Sequence, residues 1–216
     1  RKQLTTDEQR EVNKRAAEKK LRRLINENFQ EGDTHLVLDY KLSERPAGRK
    51  AMRADADDFL QEMRKLYKSL GLVFKYIHVM EIGKKGALHH HLVINTPDEV
   101  SQRAITKAWK GRGRTHFNPL DDSGNYAKLA SYLIMQSDGM LKDPNALQGK
   151  RWNSSKNLRK PTILRKEPIK DKGWYNRIAR LPKKLEKSYY LDGDSVREGI
   201  HEKTGYTFFT YTFVRI

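Results

Sequence analysis

Residues 73–95, VFKYIHVMEIGKKGALHHHLVIN, carry the clearest structural signal of the chain, because they join two strand-like segments through a glycine-rich connection. The segments Val73–Ile82 and Ala87–Asn95 are rich in the β-branched and aromatic residues that favour strands. The stretch Gly83–Gly86 between them has the composition of a turn. The pattern therefore predicts a β-hairpin of two antiparallel strands.

Helices and strands alternate on both sides of this hairpin. The further predicted elements are helices over Thr6–Phe29, Ala51–Leu70, Pro97–Trp109, Asn125–Gln136 and Trp174–Leu181, and strands over His35–Tyr40, Arg114–Phe117 and Tyr206–Ile216. The helices are indicated by apolar residues at helical spacing and the strands by β-branched and aromatic runs. Together they predict the α+β class, with a central antiparallel sheet flanked by helices.

The charge of the chain indicates a polyanionic partner. Lysine and arginine number 44 against 27 acidic residues, which gives a formal net charge of +17 in 216 residues. Such a field attracts nucleic acid through its phosphates. An anionic membrane is the competing partner, yet no apolar run approaches the roughly 20 residues that span a bilayer. With no cysteine in the chain, thiolate ligands and cysteine nucleophiles are excluded.

Three consecutive histidines lie on the second strand of the hairpin. Side chains alternate across a strand, so His89 and His91 should project from one face and His90 from the other. Two imidazoles on one face can bind the same divalent ion. The alternative is a chance run of surface histidines.

A third ligand is expected from the first strand of the hairpin. Glu81 lies across the turn from His89, while His78 has the opposite parity and should face away. A carboxylate suits Mg²⁺ or Mn²⁺ and offsets the charge of the cation. A surface carboxylate at a strand end is the structural alternative for Glu81.

Tyrosine is the best nucleophile that the chain offers, since it forms covalent intermediates and no serine lies in an elbow motif. Tyr126 and Tyr132 are six residues apart on one predicted helix, so both cannot face the same ion. Tyr132 shares its helix face with Lys128 and Gln136. From the residues alone, either tyrosine is a candidate, and packing against the core is the alternative for both.

Several segments resemble rolling-circle replication initiators (Rep proteins) of bacterial plasmids and phages, which are members of the HUH endonucleases. The segments that carry the resemblance are His35–Tyr40, Gly86–Asn95 (GALHHHLVIN), Leu129–Met135 (LASYLIM), Lys150–Pro161 and Gly205–Ile216. The middle segment is the most specific of them. The resemblance implies an RRM-like palm sheet and an HUH endonuclease domain over residues 34–216, preceded by a basic helical arm over residues 1–33.

The resemblance also implies the roles of the site residues. Glu81, His89 and His91 would bind Mn²⁺ or Mg²⁺, and Tyr132 would be the nucleophile. The implied reaction cleaves single-stranded DNA at a replication origin and leaves a 5′-phosphotyrosine and a free 3′-hydroxyl. The family commonly has a lysine three residues after the tyrosine, where this chain has Met135; Lys128 is the expected substitute.

Contacts with DNA are expected from the basic residues around Trp152. Arg151, Trp152, Lys156, Arg159 and Lys160 combine charge for the backbone with a ring for base stacking. The expected setting is the cytoplasm of a bacterial host, with single-stranded origin DNA as the partner and a host helicase or polymerase as a further one. The chain has no P-loop of the form GxxxxGK[ST] for ATP-driven unwinding.

Two other functions fit parts of the pattern. A relaxase or single-strand transposase would share the chemistry in another biological context. A non-catalytic nucleic-acid-binding module would leave the histidines structural, although the aromatic RNP1 motif of RNA-recognition sheets is missing from the sequence. Metal-dependent covalent capture of DNA separates the enzymes from the module.

Overall fold

The computed structural model describes residues 7–83, 86–141, 150–161, 183, 186–200 and 205–216. The chain divides into two compact units. The first comprises Arg1–Asp122 with Tyr126–Pro161, and the second comprises Ser123–Asn125 with Thr162–Ile216. The first unit contains the predicted hairpin and is the one that matters for the site.

A five-stranded antiparallel sheet forms the centre of the first unit. Its strands are β1 (Thr34–Asp39), β2 (Tyr76–Ile82), β3 (Leu88–Ile94), β4 (Thr115–Pro119) and β5 (Asn153–Ser154). Their spatial order is β4-β1-β3-β2-β5. The predicted hairpin is β2–β3, which occupies the middle of the sheet, so its side chains are covered on both faces.

Four helices flank this sheet: α1 (Asp7–Asn28), α2 (Arg49–Ser69), α3 (Gln102–Ala108) and α4 (Ala127–Leu141). A short 3-10 helix, Leu42–Glu44, follows β1. The predicted α+β class with an antiparallel sheet and flanking helices is therefore confirmed. Among the described residues, no helix is both long and apolar enough to cross a membrane.

One face of the sheet, which we call the α2 face, is covered by α2 and α3. Strand residues such as Leu36, Leu38 and Leu92 pack there against Phe59 of α2 and Trp109 at the end of α3. All of these side chains are almost fully buried. The amphipathic pattern of α2 is the cause, because its apolar residues recur at helical spacing and need a surface to cover them.

The opposite face, the α4 face, is covered by α1 and α4. Ile77 and Val79 of β2 pack there against Leu133 of α4 and against Leu21 and Ile25 of α1. Leu21 and Ile25 are fully buried, so the C-terminal half of α1 is part of this core. The basic helix assigned to residues 1–33 in the sequence therefore contributes directly to the packing of the sheet.

The strands differ from the predicted bounds mainly where side-chain amides replace the ladder. β2 begins at Tyr76 rather than Val73. The Lys75 amide donates to Oδ1 of Asn95 at 2.7 Å, and Asn95 Nδ2 donates to the carbonyl of Val73 at 2.9 Å. Since one side chain satisfies two backbone groups, residues 73–75 need no strand pairing. The predicted helix Trp174–Leu181 lies outside the described residues.

The second unit contains a two-stranded sheet of β6 (Tyr189–Ile200) and β7 (Thr207–Arg215). β7 confirms the strand predicted at the end of the chain. β6 was not predicted, because its sequence YYLDGDSVREGI carries the glycines and acidic residues that are depleted in strands. Its register shifts between Asp192 and Arg197, which is the irregularity such a sequence favours.

A chain of hydrogen bonds runs through the core on the α2 face. His78 Nε2 lies 3.0 Å from His90 Nδ1, and His90 Nε2 lies 2.8 Å from the hydroxyl of Tyr40. That hydroxyl donates to Asp55 Oδ2 at 3.1 Å, so it accepts from His90 and fixes the direction of the whole chain. Among the described atoms, Nδ1 of His78 has no partner. Both imidazoles are thus held in the neutral form.

Acidification should destabilise the fold through these two histidines. Burial lowers the pKa of His78 to about 3 and also lowers the pKa of His90. An unfolded histidine titrates near about 6.5, so the unfolded chain binds more protons below that pH and the free energy of unfolding falls. For His78 alone we expect a loss of about 2 kcal/mol by about pH 5. Urea unfolding at neutral and acidic pH measures this loss.

His78→Leu should flatten that pH dependence, since it removes one of the two buried groups that must stay neutral. His116→Leu is the matched control, because His116 is exposed and should leave the dependence unchanged. A wild-type unfolding free energy that stayed constant between neutral pH and about pH 5 would contradict the assignment.

Candidate metal and nucleophile site

The β2–β3 hairpin brings three potential metal ligands together on the α4 face. In the antiparallel register, Glu81 lies opposite His89, and His91 follows two residues later on the same face. Oε2 of Glu81 is 2.7 Å from Nε2 of His91 and 3.4 Å from Nδ1 of His89. His90 and His78 point to the opposite face, as strand alternation predicts.

The turn of the hairpin sets this register. Gly83 donates to the carbonyl of Ala87 at 2.7 Å, and Gly86 donates to the carbonyl of Gly83 at 2.9 Å. Gly86 has φ +72°, in the left-handed region that glycine adopts without strain. A one-residue slip would move every side chain of β3 to the other face, so this turn decides which histidines meet Glu81.

The three ligands are buried to different degrees, which leaves the site open on one side. The side chain of His91 is 2% exposed, that of Glu81 15% and that of His89 32%. The hydrogen bond from His91 is the main cause that lowers the pKa of Glu81, and burial opposes it. Glu81 is therefore a carboxylate at neutral pH, which is the form that binds a cation.

The arrangement fits a divalent metal ion. One ligand atom from each of Glu81, His89 and His91 lies within 4.8 Å of the other two. Ligand atoms that share an ion at roughly 2.0–2.2 Å must lie within about 4.4 Å of each other, so small side-chain adjustments suffice. Three protein ligands leave further coordination positions for water or substrate.

Tyr132 projects from α4 toward these ligands. Its ring centroid is 5.5 Å from that of His91 and 5.9 Å from that of His35, with an edge-to-face geometry in both contacts. The side chain is 38% exposed, so a substrate can reach the hydroxyl. Burial raises the pKa of Tyr132, the charge of Glu81 raises it further, and a hydrogen bond with Gln136 opposes both.

Tyr126, the other candidate, faces the core beneath α4. Its side chain is 5% exposed, and its hydroxyl donates to the carbonyl of Asp121 at 3.1 Å. Burial, followed by the charge of Asp121, raises the pKa of Tyr126 to about 12. The sequence left both tyrosines open, and of these two the structure brings only Tyr132 into contact with the ligand cluster.

Lys128 was predicted to assist the tyrosine from one helical turn earlier. Its side chain is exposed on α4, whereas Gln136, one turn later, makes the hydrogen bond with Tyr132. Gln136 was noted in the sequence only as a member of the same helix face. The role of Lys128 stays a prediction.

His35 is a neighbour of the site that the sequence analysis did not single out. It lies on β1, and its Nε2 is 3.3 Å from Nδ1 of His91. Burial, followed by the charge of His91, lowers the pKa of His35 to about 4. Its position on the α4 face follows from the pairing of β1 with β3, in which Val37 lies opposite His91. Strand order is the missing information, since residue spacing alone does not reveal it.

The predicted DNA-binding residues differ in their surroundings. Lys156, Arg159 and Lys160 are exposed. Arg151 forms an ion pair with Asp138, and Trp152 is half-buried against the core of the α4 face. The exposed lysines and arginine are therefore accessible to phosphates, while Arg151 and Trp152 also hold the segment in place.

Lys156 lines a basic cleft on the α2 side of the sheet edge. This cleft of about 680 Å³ lies between the C-terminal end of α2 and the segment that follows β5. Arg64 and Lys68 supply two further cations, and none of the residues lining the cleft is acidic. Arg64 donates to the hydroxyl of Tyr76 at 3.1 Å, which fixes its guanidinium at the wall.

Residues 33–136 match the family described as replication-associated protein ORF2. The matched span runs from β1 into α4 and so contains Glu81, His89, His91 and Tyr132. This match confirms the resemblance to replication initiators. No curated protein and no solved structure matches the chain.

Removing the charge of Glu81 should abolish tight metal binding. We expect Glu81→Gln to weaken the affinity for Mn²⁺ by at least about tenfold, because even partners outside the ligand shell contribute that much. Titration followed by the electron paramagnetic resonance of free Mn²⁺ measures the affinity. Glu62→Gln, an exposed carboxylate on α2 paired with Lys65, is the control. Equal affinities for the wild type and Glu81→Gln would remove Glu81 from the site.

Proposed function

We propose that this chain, whose residues 33–136 match a family of replication-associated proteins, nicks single-stranded DNA at a replication origin and starts rolling-circle replication. In this proposal the chain is an HUH endonuclease, in which Tyr132 attacks the DNA backbone with the help of a divalent metal ion. The setting that fits the reaction is the cytoplasm of a bacterial host.

One observation carries the proposal: an accessible tyrosine lies against a cluster of two histidines and a carboxylate. The ring of Tyr132 contacts His91, and the charge of Glu81 acts on its hydroxyl. Phosphoryl transfer needs a nucleophile and stabilisation of charge on the phosphate at the same place. A nucleic-acid-binding module would need neither.

The proposed step transfers the DNA from its own 3′ oxygen to the protein. The hydroxyl oxygen of Tyr132 forms a bond to phosphorus, its proton leaves to solvent, and the bond between phosphorus and the 3′ oxygen breaks. The products are a 5′-phosphotyrosine and a strand whose 3′ oxygen has taken up a proton. The reverse step rejoins the strands. Mn²⁺ or Mg²⁺ bound by Glu81, His89 and His91 would polarise a phosphoryl oxygen as a Lewis acid.

The remaining charge of the chain supports binding of the strand on either side of the cut. Lys156, Arg159 and Lys160 are exposed on the segment after β5, next to the basic cleft with Arg64 and Lys68. Phosphate contacts of this kind position a strand without reading its sequence. We propose that they hold the single strand while its scissile phosphate lies at Tyr132.

Replacement of the nucleophile should abolish covalent capture of DNA. The wild type, incubated with Mn²⁺ and a pool of single-stranded oligonucleotides of randomised sequence, should form an adduct that survives denaturing electrophoresis. Tyr132→Phe should form none, because the attacking oxygen is missing. Tyr126→Phe is the matched control on the same helix and should keep the adduct, since its hydroxyl is bonded to Asp121 in the core.

EDTA should prevent the adduct in the wild type. An adduct lost in Tyr126→Phe but kept in Tyr132→Phe would keep the enzyme class and overturn the choice of tyrosine. A wild type that binds the oligonucleotides but forms no adduct with Mn²⁺ or Mg²⁺ would favour the binding module. Joining of two separate strand ends in place of re-closure at one origin would instead indicate a transposase.

Charge reversal in the cleft should weaken binding of single-stranded DNA and its salt dependence. We expect Lys68→Glu combined with Lys156→Glu to make the plot of log affinity against log salt shallower by roughly 1.4, about 0.7 for each lost phosphate contact. Lys65→Glu combined with Lys110→Glu is the control with the same change in net charge, since neither residue lines the cleft. Equal slopes for the two double variants would remove the cleft from the DNA path.

A further inference from the structure

His35 and His91 form a direct contact between two imidazoles, of which only His91 is a candidate ligand. Nε2 of His35 lies 3.3 Å from Nδ1 of His91, and the two ring planes differ by only 22°. A nitrogen–nitrogen separation this short between nearly coplanar rings, with ring centroids 5.5 Å apart, indicates an in-plane hydrogen bond rather than stacking.

The contact occupies the side of His91 that faces away from the other ligands. Nε2 of His91 is the atom that meets Glu81, at 2.7 Å, while Nδ1 is the atom that meets His35. A neutral imidazole that binds a metal through Nε2 must carry its proton on Nδ1. That proton needs an acceptor, because His91 is almost completely buried.

We infer that His35 is a positioning residue that holds His91 in the tautomer and orientation required for metal binding. This inference rests on the proposed function, since it assigns His35 a task within the same site. Nε2 of His35 accepts the Nδ1 proton of His91, which leaves the lone pair on Nε2 of His91 directed at the ion. His35 itself touches neither the ion nor the DNA in this assignment.

His35 also links the ligand to the nucleophile. Its ring packs edge-on against Tyr132 at 5.9 Å, so β1 supplies a wall that both His91 and Tyr132 use. The backbone of His35 is fixed from the other side, where Asn118 of β4 donates to its carbonyl at 3.2 Å. A strand paired on both edges is a rigid support for such a side chain.

The test compares two substitutions that fill similar space but differ in hydrogen bonding. His35→Gln keeps an acceptor for the Nδ1 proton, whereas His35→Leu removes it. Partners of this kind typically change metal affinity by about 10–100-fold. We therefore expect His35→Leu to weaken Mn²⁺ binding by that factor and His35→Gln to restore most of the loss, measured by electron paramagnetic resonance of the chain without DNA.

His116→Leu is the control, because His116 lies on the neighbouring strand of the same face, is exposed and contacts Asp39 rather than His91. Its affinity for Mn²⁺ should equal that of the wild type. Urea unfolding of each variant identifies a loss of affinity that comes from misfolding. A second measurement needs no substitution: in the wild type loaded with Mg²⁺, a long-range ¹H–¹⁵N spectrum should show His91 protonated on Nδ1.

The outcomes separate this inference from the proposed function. If the wild type binds Mn²⁺ and His35→Leu binds it equally well, the positioning role is wrong and the metal site stands. If His35→Leu and His35→Gln lose affinity equally while remaining folded, the imidazole acts through something other than an accepted hydrogen bond, and the inference is overturned. A wild type that binds no divalent ion removes the site and the inference together.

Discussion

The pairing of β2 with β3 in a single register creates both polar systems of this protein. With Glu81 opposite His89, one face of the hairpin carries a carboxylate and two imidazoles within coordination distance of a common point. The same register sends His78 and His90 to the opposite face, where they join a buried hydrogen-bond chain that ends at Asp55. A shift of the backbone alignment by one residue would therefore dismantle the ligand cluster and the buried chain at once.

The flanking helices give the two faces different properties. α2 and α3 seal the α2 face, so His78 and His90 are excluded from water and stay neutral. α4 covers its own face only partly, because Tyr132 stands at the edge of the helix over the hairpin end. An enclosed polar chain stiffens the hairpin, and a half-open helix edge leaves room for a phosphate.

Much of the fold and the ligand set could be predicted from the sequence. The hairpin, the parity of His89 and His91 and the position of Glu81 follow from strand alternation and one short turn. The choice between Tyr126 and Tyr132 did not follow from the residues, because helical spacing gives relative angles but not which angle faces the sheet. His35 escaped notice for the same reason, since its relation to His91 depends on strand order.

The least predictable parts are those whose local sequence disagrees with their structure. β6 contains glycine and several acidic residues, and β5 is only two residues long, so neither carries a strand pattern. The start of β2 moved to Tyr76 because the amide side chain of Asn95 satisfies the backbone of residues 73–75. Such substitutions of side chain for ladder depend on tertiary contacts.

All three candidate ligands lie within one hairpin, whereas the tyrosine joins them from a helix far along the chain. Closing a short loop costs little conformational entropy, and the cost rises only slowly with loop length. The cation-binding part of the site is therefore local enough to form together with its hairpin during folding, ahead of α4. Assembly in that order would make the reactive tyrosine the last component to arrive, so a partly folded chain could hold an ion without being able to cut DNA.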